Sequence, residues 1–193
     1  MMLGNRQLAS IAALAAVAAS AGDLLLLWIA GGGDRSWLAV GHYLGVLFIP
    51  LYALGYRAVG DMLRSPPILW IGVYAAAVGA AIHGMTTMAI WSSPTSEHAA
   101  DRFASLTPIL PYLIPLWLLV GALTLAGSAL QFRAVRADAS LPPWFAWVNP
   151  SVLIVIVAGF AAPLGAIAGY MIPAAPNLVH VIYFAVVAVV ARD

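Results

Sequence analysis

The chain has 193 residues, of which 64% are hydrophobic and only 8% are charged, and its mean hydropathy is +0.99. Because soluble domains carry about 25% charged residues, this composition excludes an ordinary soluble domain and predicts an integral membrane protein. The net charge is only +1, which gives no reason to expect nucleic acid as a partner. The sequence contains no cysteine and no lysine, which excludes disulfides, cysteine nucleophiles and Schiff-base chemistry.

Six apolar segments predict an all-α fold, a single domain formed by a bundle of six transmembrane helices. A helix of about 20 apolar residues crosses a hydrocarbon core of about 30 Å. The start of the first segment also has the character of a secretory signal, but the apolar run continues past Asp23, which favours a transmembrane helix. The predicted spans cover residues 8–30, 37–56, 67–91, 106–132, 151–170 and 174–191.

Polar connectors and arginines predict the orientation of the bundle. Residues 57–64 and 92–104 are expected to be loops, and Pro173 and Pro176 are expected to mark a tight turn before the last span. With six spans, six arginines fall on one side of the membrane and two on the other. Cytoplasmic loops are enriched in arginine, so we predict a multi-pass protein of the cell membrane with both termini in the cytoplasm.

Four ionisable side chains lie within the apolar segments: Asp23, His42, His83 and His180. Such groups are costly in hydrocarbon, so each marks a candidate functional site. Counted from the outer ends of the predicted spans, they all lie roughly 8–12 Å deep at 1.5 Å per residue. We therefore predict one outer-leaflet pocket with these four as catalytic residues, and no comparable polar group in the inner half of any span. For each histidine taken singly, the alternative is an interhelical hydrogen bond.

Further side chains at a similar depth are predicted to bind a substrate. Asn177 shares a helical face with His180, and Thr87 shares one with His83. Three prolines in the first half of the fourth span are expected to loosen it, and the loop that contains Glu97 and His98 is a candidate lid. The predicted substrate-binding residues are Asn177, Tyr43, Tyr112, Thr87 and Trp91. Tryptophans and tyrosines near the span ends are interpreted as an interfacial belt.

The segment Leu141-Pro142-Pro143-Trp144-Phe145-Ala146-Trp147-Val148-Asn149-Pro150 resembles a family of small bacterial six-helix integral membrane proteins of unknown function. The runs 163–165 and 176–178, the Gly22-Asp23 pair and the Ile49-Pro50 region share this resemblance. It implies the six-helix fold and no particular activity. Within the segment, Asn149-Pro150 is predicted to cap or break the fifth helix.

Three histidines and one aspartate are also similar in ligand type to the zinc site of seven-helix membrane hydrolases. The chain departs from that family, because it has no His-x-x-x-His pair and one predicted span fewer. The resemblance is therefore one of chemistry only.

Three function hypotheses follow. The first is an enzyme that isomerises or cyclises an apolar lipid-like or isoprenoid substrate by acid–base chemistry at Asp23 and the histidines, with no cofactor required. The second is a metal-dependent hydrolase in which Asp23, His42, His83 and His180 bind zinc, with one of them outside the first coordination shell. The third is a proton-coupled carrier or a lipid- or ligand-binding protein, including a haem protein that uses two histidines.

Overall fold

The computed structural model describes residues 3–29, 35–92, 106–161, 163 and 168–191, and residues 24–29, 35–39, 90–92 and 168–173 by their backbone alone. Within these ranges the chain is all-helical and contains no strand. The α-helices are α1 Asn5–Ile29, α2 Arg35–Phe48, α3 Tyr52–Met62, α4 Pro66–Ser92, α5 Leu110–Ala137, α6 Pro150–Ala161 and α7 Ala168–Val190. Short 3₁₀ turns at Ile49–Leu51, Thr107–Ile109 and Pro143–Ala146 precede α3, α5 and α6.

Three helical stretches among the described residues are long and apolar enough to cross a membrane: Val40–Met62, Pro66–Ala89 and Thr107–Ala137. The first of them joins α2 to α3 through the 3₁₀ turn at Pro50. Proline lacks a backbone N–H, so the helix tightens there and then continues. Pro150–Ala161 and Ala174–Val190 are shorter apolar helices.

Helix α1 lies at the centre of the described bundle and packs against α2, α3 and α7. Its buried face is a stripe of alanines at helical spacing: Ala9, Ala12, Ala16 and Ala19 are all fully buried. Small residues let helix backbones approach closely. Helix α4 then connects this group to α5, and α6 packs mainly on α7.

The second helical stretch continues beyond the end predicted for it. The loop prediction for residues 57–64 is wrong, because α3 extends to Met62 and ends in a Schellman turn. Ser65 N–H donates to the Gly60 carbonyl at 2.8 Å, and Arg64 adopts a φ of 48°. The helix therefore carries its polar residues outward, and Arg57 pairs with Asp61 at its surface, 3.7 Å apart.

The predicted boundary between the last two spans is also wrong. Helix α6 ends at Ala161, and α7 already begins at Ala168, so Tyr170 belongs to α7. Pro173 and Pro176 lie inside α7, where the sequence predicts a turn. Proline is tolerated within helices of apolar bundles, because neighbouring groups satisfy the carbonyls that it leaves free.

The prolines of the fourth predicted span occupy three different positions. Pro108 lies in the 3₁₀ turn, Pro111 lies in the first turn of α5, and only Pro115 lies inside the helix. In a first turn the missing N–H has no intrahelical partner to lose. Only Pro115 can therefore disturb the hydrogen bonds of this helix, rather than the three prolines expected.

The segment between α5 and α6 is held from both ends. Hydrogen bonds from Ser140 hold the pKa of Asp138 below its usual range. At the other end, the Asn149 side chain accepts from Val152 N–H at 3.1 Å and donates to the Ala146 carbonyl at 2.9 Å. This is N-capping geometry with Pro150 as the first helical residue, and it confirms the predicted cap.

Candidate functional site

A first polar cluster joins α1, α3 and α7. The Asn177 side-chain amide donates to Asp23 Oδ2 at 2.7 Å, and the Tyr52 hydroxyl donates to Asn177 Oδ1 at 2.8 Å. Asn177 and Tyr52 are buried, and Asp23 is half-buried. Asn177 therefore links a carboxylate to a phenol across three helices.

His180 belongs to the same cluster. Its Nδ1 lies 2.6 Å from the Pro176 carbonyl oxygen, and its Nε2 lies 2.8 Å from the Tyr56 hydroxyl. A carbonyl can only accept, so the proton is on Nδ1, and the Tyr56 hydroxyl donates to Nε2. The Tyr52 ring stacks on the imidazole at 4.7 Å between centroids. Both nitrogens of this neutral histidine are thus satisfied.

The position of His180 along its helix differs from the prediction. Because α7 begins at Ala168, His180 lies about 18 Å from the helix start at 1.5 Å per residue, near the middle of the helix. The sequence pattern predicts a position within two turns of the helix start, level with the other three ionisable residues. The error follows from the misplaced turn at Pro173 and Pro176.

A second set of polar contacts extends toward the other end of the bundle. The Tyr183 hydroxyl donates to Gln131 Oε1 at 2.6 Å, and Gln131 Nε2 donates to the Val148 carbonyl at 2.8 Å and the Phe145 carbonyl at 3.4 Å. The Tyr183 ring lies 6.1 Å from that of Tyr56, between centroids. Counted along the predicted fourth span, Gln131 lies near its inner end, which is at odds with the prediction that the inner half of the spans lacks polar groups.

His42 and His83 form a separate cluster between α2 and α4. Their ring centroids are 5.6 Å apart, at an interplanar angle of 59°. The Nδ1 atom of each is buried and has no hydrogen-bond partner among the described residues. Such an unsatisfied group costs about 1–3 kcal/mol, so the pair is able to bind a polar group that reaches it.

Two glycines make this arrangement sterically feasible. Gly22 of α1 lies against the backbone of Gly41 in α2, and a methyl group there would overlap the Gly41 carbonyl. A methyl group on Gly45 would overlap the His83 ring. The imidazole therefore fits between α2 and α4 only because residue 45 has no side chain.

An open groove with a volume of about 580 Å³ lies along α2 and α4, and neither His42 nor His83 is among its described lining residues. This volume falls within the range of ligand pockets, about 300–1,000 Å³. We call it the α2–α4 groove, and its described lining residues are Tyr43, Val46, Ala81, Gly84, Met85, Thr87, Met88, Ala89 and Ile109. Gly84 adjoins His83 in the chain, and the Thr87 hydroxyl donates to the His83 carbonyl at 2.8 Å.

The predicted substrate-binding residues divide accordingly. Tyr43 and Thr87 line the groove, whereas Asn177 belongs to the Asp23 cluster. Tyr112 is 66% exposed and is not among the lining residues. The side chain of Trp91 and the candidate lid with Glu97 and His98 lie outside the described residues.

The four predicted catalytic residues do not come together as one zinc site. In the described part of the chain, no three His, Asp or Glu side chains form a group that could hold a metal ion. No hydrogen bond or ring contact joins the Asp23–His180 cluster to the His42–His83 pair there. His42 and His83 lie side by side, whereas Asp23 and His180 are connected only through Asn177 and Tyr52, and a hydrolytic zinc site needs three protein ligands.

Sequence reasoning missed Tyr52, Tyr56, Tyr183 and Gln131. The predicted spans end at Tyr56 and just beyond Gln131, yet the helices that carry these residues continue to Met62 and Ala137. Polar side chains near a membrane boundary are unremarkable, but within a helix interior they require partners. Correct helix ends would have shown that Tyr56 and Gln131 lie inside their helices and need partners.

Replacing Tyr56 with phenylalanine is expected to lower the free energy of unfolding by about 1 kcal/mol, because His180 Nε2 loses its donor. The imidazole should keep its proton on Nδ1, bound to Pro176, which ¹⁵N NMR of labelled histidine reports directly. Tyr74→Phe, at an exposed tyrosine of α4, is the control and should change stability by less than about 0.5 kcal/mol. A wild-type His180 protonated on Nε2 alone would contradict this assignment.

The chain matches no known protein family, no curated protein and no solved structure.

Proposed function

We propose that this chain is a multi-pass protein of the cell membrane with six spans and cytoplasmic termini, and the lipid bilayer as its surroundings. Beyond the three long apolar stretches, the helices α1, α6 and α7 also turn large apolar side chains outward. Leu14 is 70%, Phe160 76% and Val189 83% exposed. Such surfaces are costly in water and suit lipid contact. The six-to-two arginine distribution supports the orientation.

The family resemblance belongs to this proposal too. It rests on the proline- and tryptophan-rich segment 141–150 and on the short run 176–178. In the fold, the first of these forms the cap of α6, and the second carries Asn177 of the Asp23 cluster. Both runs therefore have structural roles that a family of six-helix proteins would share.

For the activity, we propose acid–base isomerisation of an apolar, lipid-like substrate held in the α2–α4 groove. One observation carries this proposal: two buried imidazoles with unpaired Nδ1 atoms pack between α2 and α4, and their chain neighbours Tyr43 and Gly84 line an open apolar groove. An imidazole can both take up and give a proton, and a low-dielectric site strengthens its effect on a reacting group. The groove would hold the chain of the lipid while His42 and His83 meet its reacting atoms.

The roles of the predicted residues differ within this proposal. His42 and His83 are the catalytic pair, since one can take a proton from carbon while the other donates a hydrogen bond. Asp23, Asn177 and His180 are positioning residues, because their side chains bond one another, the Pro176 carbonyl and tyrosines of α3. They hold α1, α3 and α7 together.

The test uses the purified protein in D₂O with a lipid extract of the host membrane. Proton removal and return would place solvent deuterium on carbon in at least one lipid, which mass spectrometry detects. His83→Gln keeps a polar side chain of similar length and is expected to reduce the exchange rate by about 10²–10⁴-fold, the usual contribution of a general base. Wild-type exchange no faster than that of His83→Gln would refute acid–base chemistry at this pair.

A second function, proton-coupled transport, is favoured by a different observation. Polar side chains continue from Asp23 through Tyr52, His180 and Tyr56 toward Tyr183 and Gln131. A transport path needs such polar groups along its length, so their presence favours a carrier. A carrier binds substrate and protons near mid-depth in its bundle. Proton uptake into proteoliposomes, absent in an Asp23→Asn variant that folds, would favour transport over isomerisation.

A further inference from the structure

Two arginines in the last turns of α5 have no partner among the described residues. Arg133 and Arg136 lie three residues apart, so they are neighbours on the helix surface, and both are exposed. The opposite face of the same turns, with Gln131 and Val135, is buried. Neither guanidinium takes part in an ion pair, a hydrogen bond or a ring contact in the described part of the chain.

The described carboxylates at this end of the bundle already have partners. Asp61 pairs with Arg57 at 3.7 Å. Asp138 accepts from Ser140 N–H at 2.8 Å, and the charge of Arg64 also acts on it. The two arginines of α5 therefore carry positive charge that no described carboxylate pairs with. At the boundary of a membrane, such a charge attracts anionic lipid headgroups.

An exposed tryptophan lies next to these arginines. The Trp147 ring contacts Phe132 edge-on at 5.0 Å between centroids, and Arg136 follows Phe132 by one turn, about 6 Å nearer the helix end at 1.5 Å per residue. The indole is 59% exposed, and its N–H donates to no group among the described residues. The cap of α6 accounts for Asn149 and the buried Phe145 of this segment, but not for an exposed indole. Tryptophans favour the headgroup level of a bilayer.

We propose that Arg133, Arg136 and Trp147 bind the headgroup of an anionic phospholipid, an inference that rests on the proposed transmembrane arrangement and not on the proposed activity. The two guanidinium groups donate to the phosphate oxygens, acceptors that match their planar geometry. The indole lies one turn nearer the hydrocarbon, where its N–H meets the ester groups of the lipid. The acyl chains follow the outward face of α5, where Leu118 and Leu125 are 70% and 63% exposed and lie at helical spacing from Arg136.

The experiment titrates the detergent-purified protein with phosphatidylglycerol or phosphatidylcholine of the same acyl chains and counts bound lipids by native mass spectrometry. The first lipid has a net negative charge, and the second has none. The first phosphatidylglycerol should bind at least about tenfold more tightly than phosphatidylcholine. One arginine near an anionic group changes affinity about fivefold, so Arg136→Gln should weaken phosphatidylglycerol binding by that factor. The double variant Arg133→Gln/Arg136→Gln should lose the preference.

Matched variants localise the binding. Arg6 is also exposed, has no ion pair among the described residues and falls on the same predicted side of the membrane, but it belongs to α1, which packs against α2, α3 and α7. Arg6→Gln therefore makes the same change in net charge away from α5 and should alter phosphatidylglycerol binding by less than about twofold. Trp147→Leu keeps an apolar contact with Phe132 and removes the indole N–H, so it should weaken binding about fivefold.

The outcomes separate the inference from the proposed function. Equal binding of the two lipids by the wild type would overturn the inference. An effect of Arg6→Gln as large as that of Arg136→Gln would overturn it too, because the lipid would then respond to overall charge. Displacement of phosphatidylglycerol by inorganic phosphate would show a site for free phosphate instead of lipid. The transmembrane arrangement has its own test, since alkaline carbonate should leave the protein in the membrane, and its release would refute both.

Discussion

The variant Gln131→Leu is expected to lower the free energy of unfolding by about 3 kcal/mol. Gln131 is only 1% exposed and bonds three groups on two other segments: the Tyr183 hydroxyl and the carbonyls of Phe145 and Val148. Each buried group left without a partner costs about 1–3 kcal/mol, and average coupling energies within membranes lie toward the lower end. Unfolding in mixed detergent and sodium dodecyl sulfate micelles, followed by circular dichroism, measures the loss.

A double-mutant cycle identifies the cause of that loss. Tyr183→Phe alone should cost about 1 kcal/mol, because Gln131 Oε1 loses its donor. In combination with Gln131→Leu, it should add almost nothing, since the hydroxyl that the first change leaves unpaired is gone. The matched control is Gln7→Leu, at the only other glutamine, which is exposed near the start of α1. Fully additive effects of the two core substitutions would contradict the direct Tyr183–Gln131 coupling.

Helical character was predictable because it depends on local composition. The long apolar runs predicted the α-helical class and the approximate positions of α1, α4 and α5, and an Asn-Pro pair predicted the cap of α6. The helix ends were less predictable. An arginine or proline does not end a helix when neighbouring groups pair with the arginine or bond the carbonyls that the proline leaves free. Arg57 lies on the surface of α3, and Pro176 lies inside α7.

The candidate site was predictable only in its composition. Each of the four ionisable residues, Asp23, His42, His83 and His180, has a polar or aromatic partner. This is expected, because an ionisable side chain without a partner is costly in hydrocarbon. Their division into two clusters depends on which faces of α1, α2, α4 and α7 meet. That order is set by close packing at residues such as Gly22 and Gly45, and a hydropathy pattern contains no information about it.

The packing of α3 against α4 leads to the last prediction. A methyl group on Gly72 would overlap Cβ and Cγ of Tyr56, atoms too near the backbone of α3 to move away by rotation of the side chain. Gly72→Ala is therefore expected to force α3 and α4 apart and to lower the free energy of unfolding by about 2–3 kcal/mol, the upper range for overpacking. It should also displace the Tyr56 hydroxyl from His180, which the histidine ¹⁵N spectrum reports.

The control for Gly72→Ala is expected to change the free energy of unfolding in the opposite direction. Gly121 of α5 has nothing within 4 Å of the added methyl group, so Gly121→Ala meets no neighbour. Alanine favours the helix over glycine by about 0.8–1.0 kcal/mol, so this change should leave stability unchanged or raise it. The same substitution in two helices thus separates the intrinsic preference for alanine from the cost of contact with Tyr56. If both variants gained stability, the close approach of α3 and α4 at Gly72 would be contradicted, and with it the placement of Tyr56 against His180.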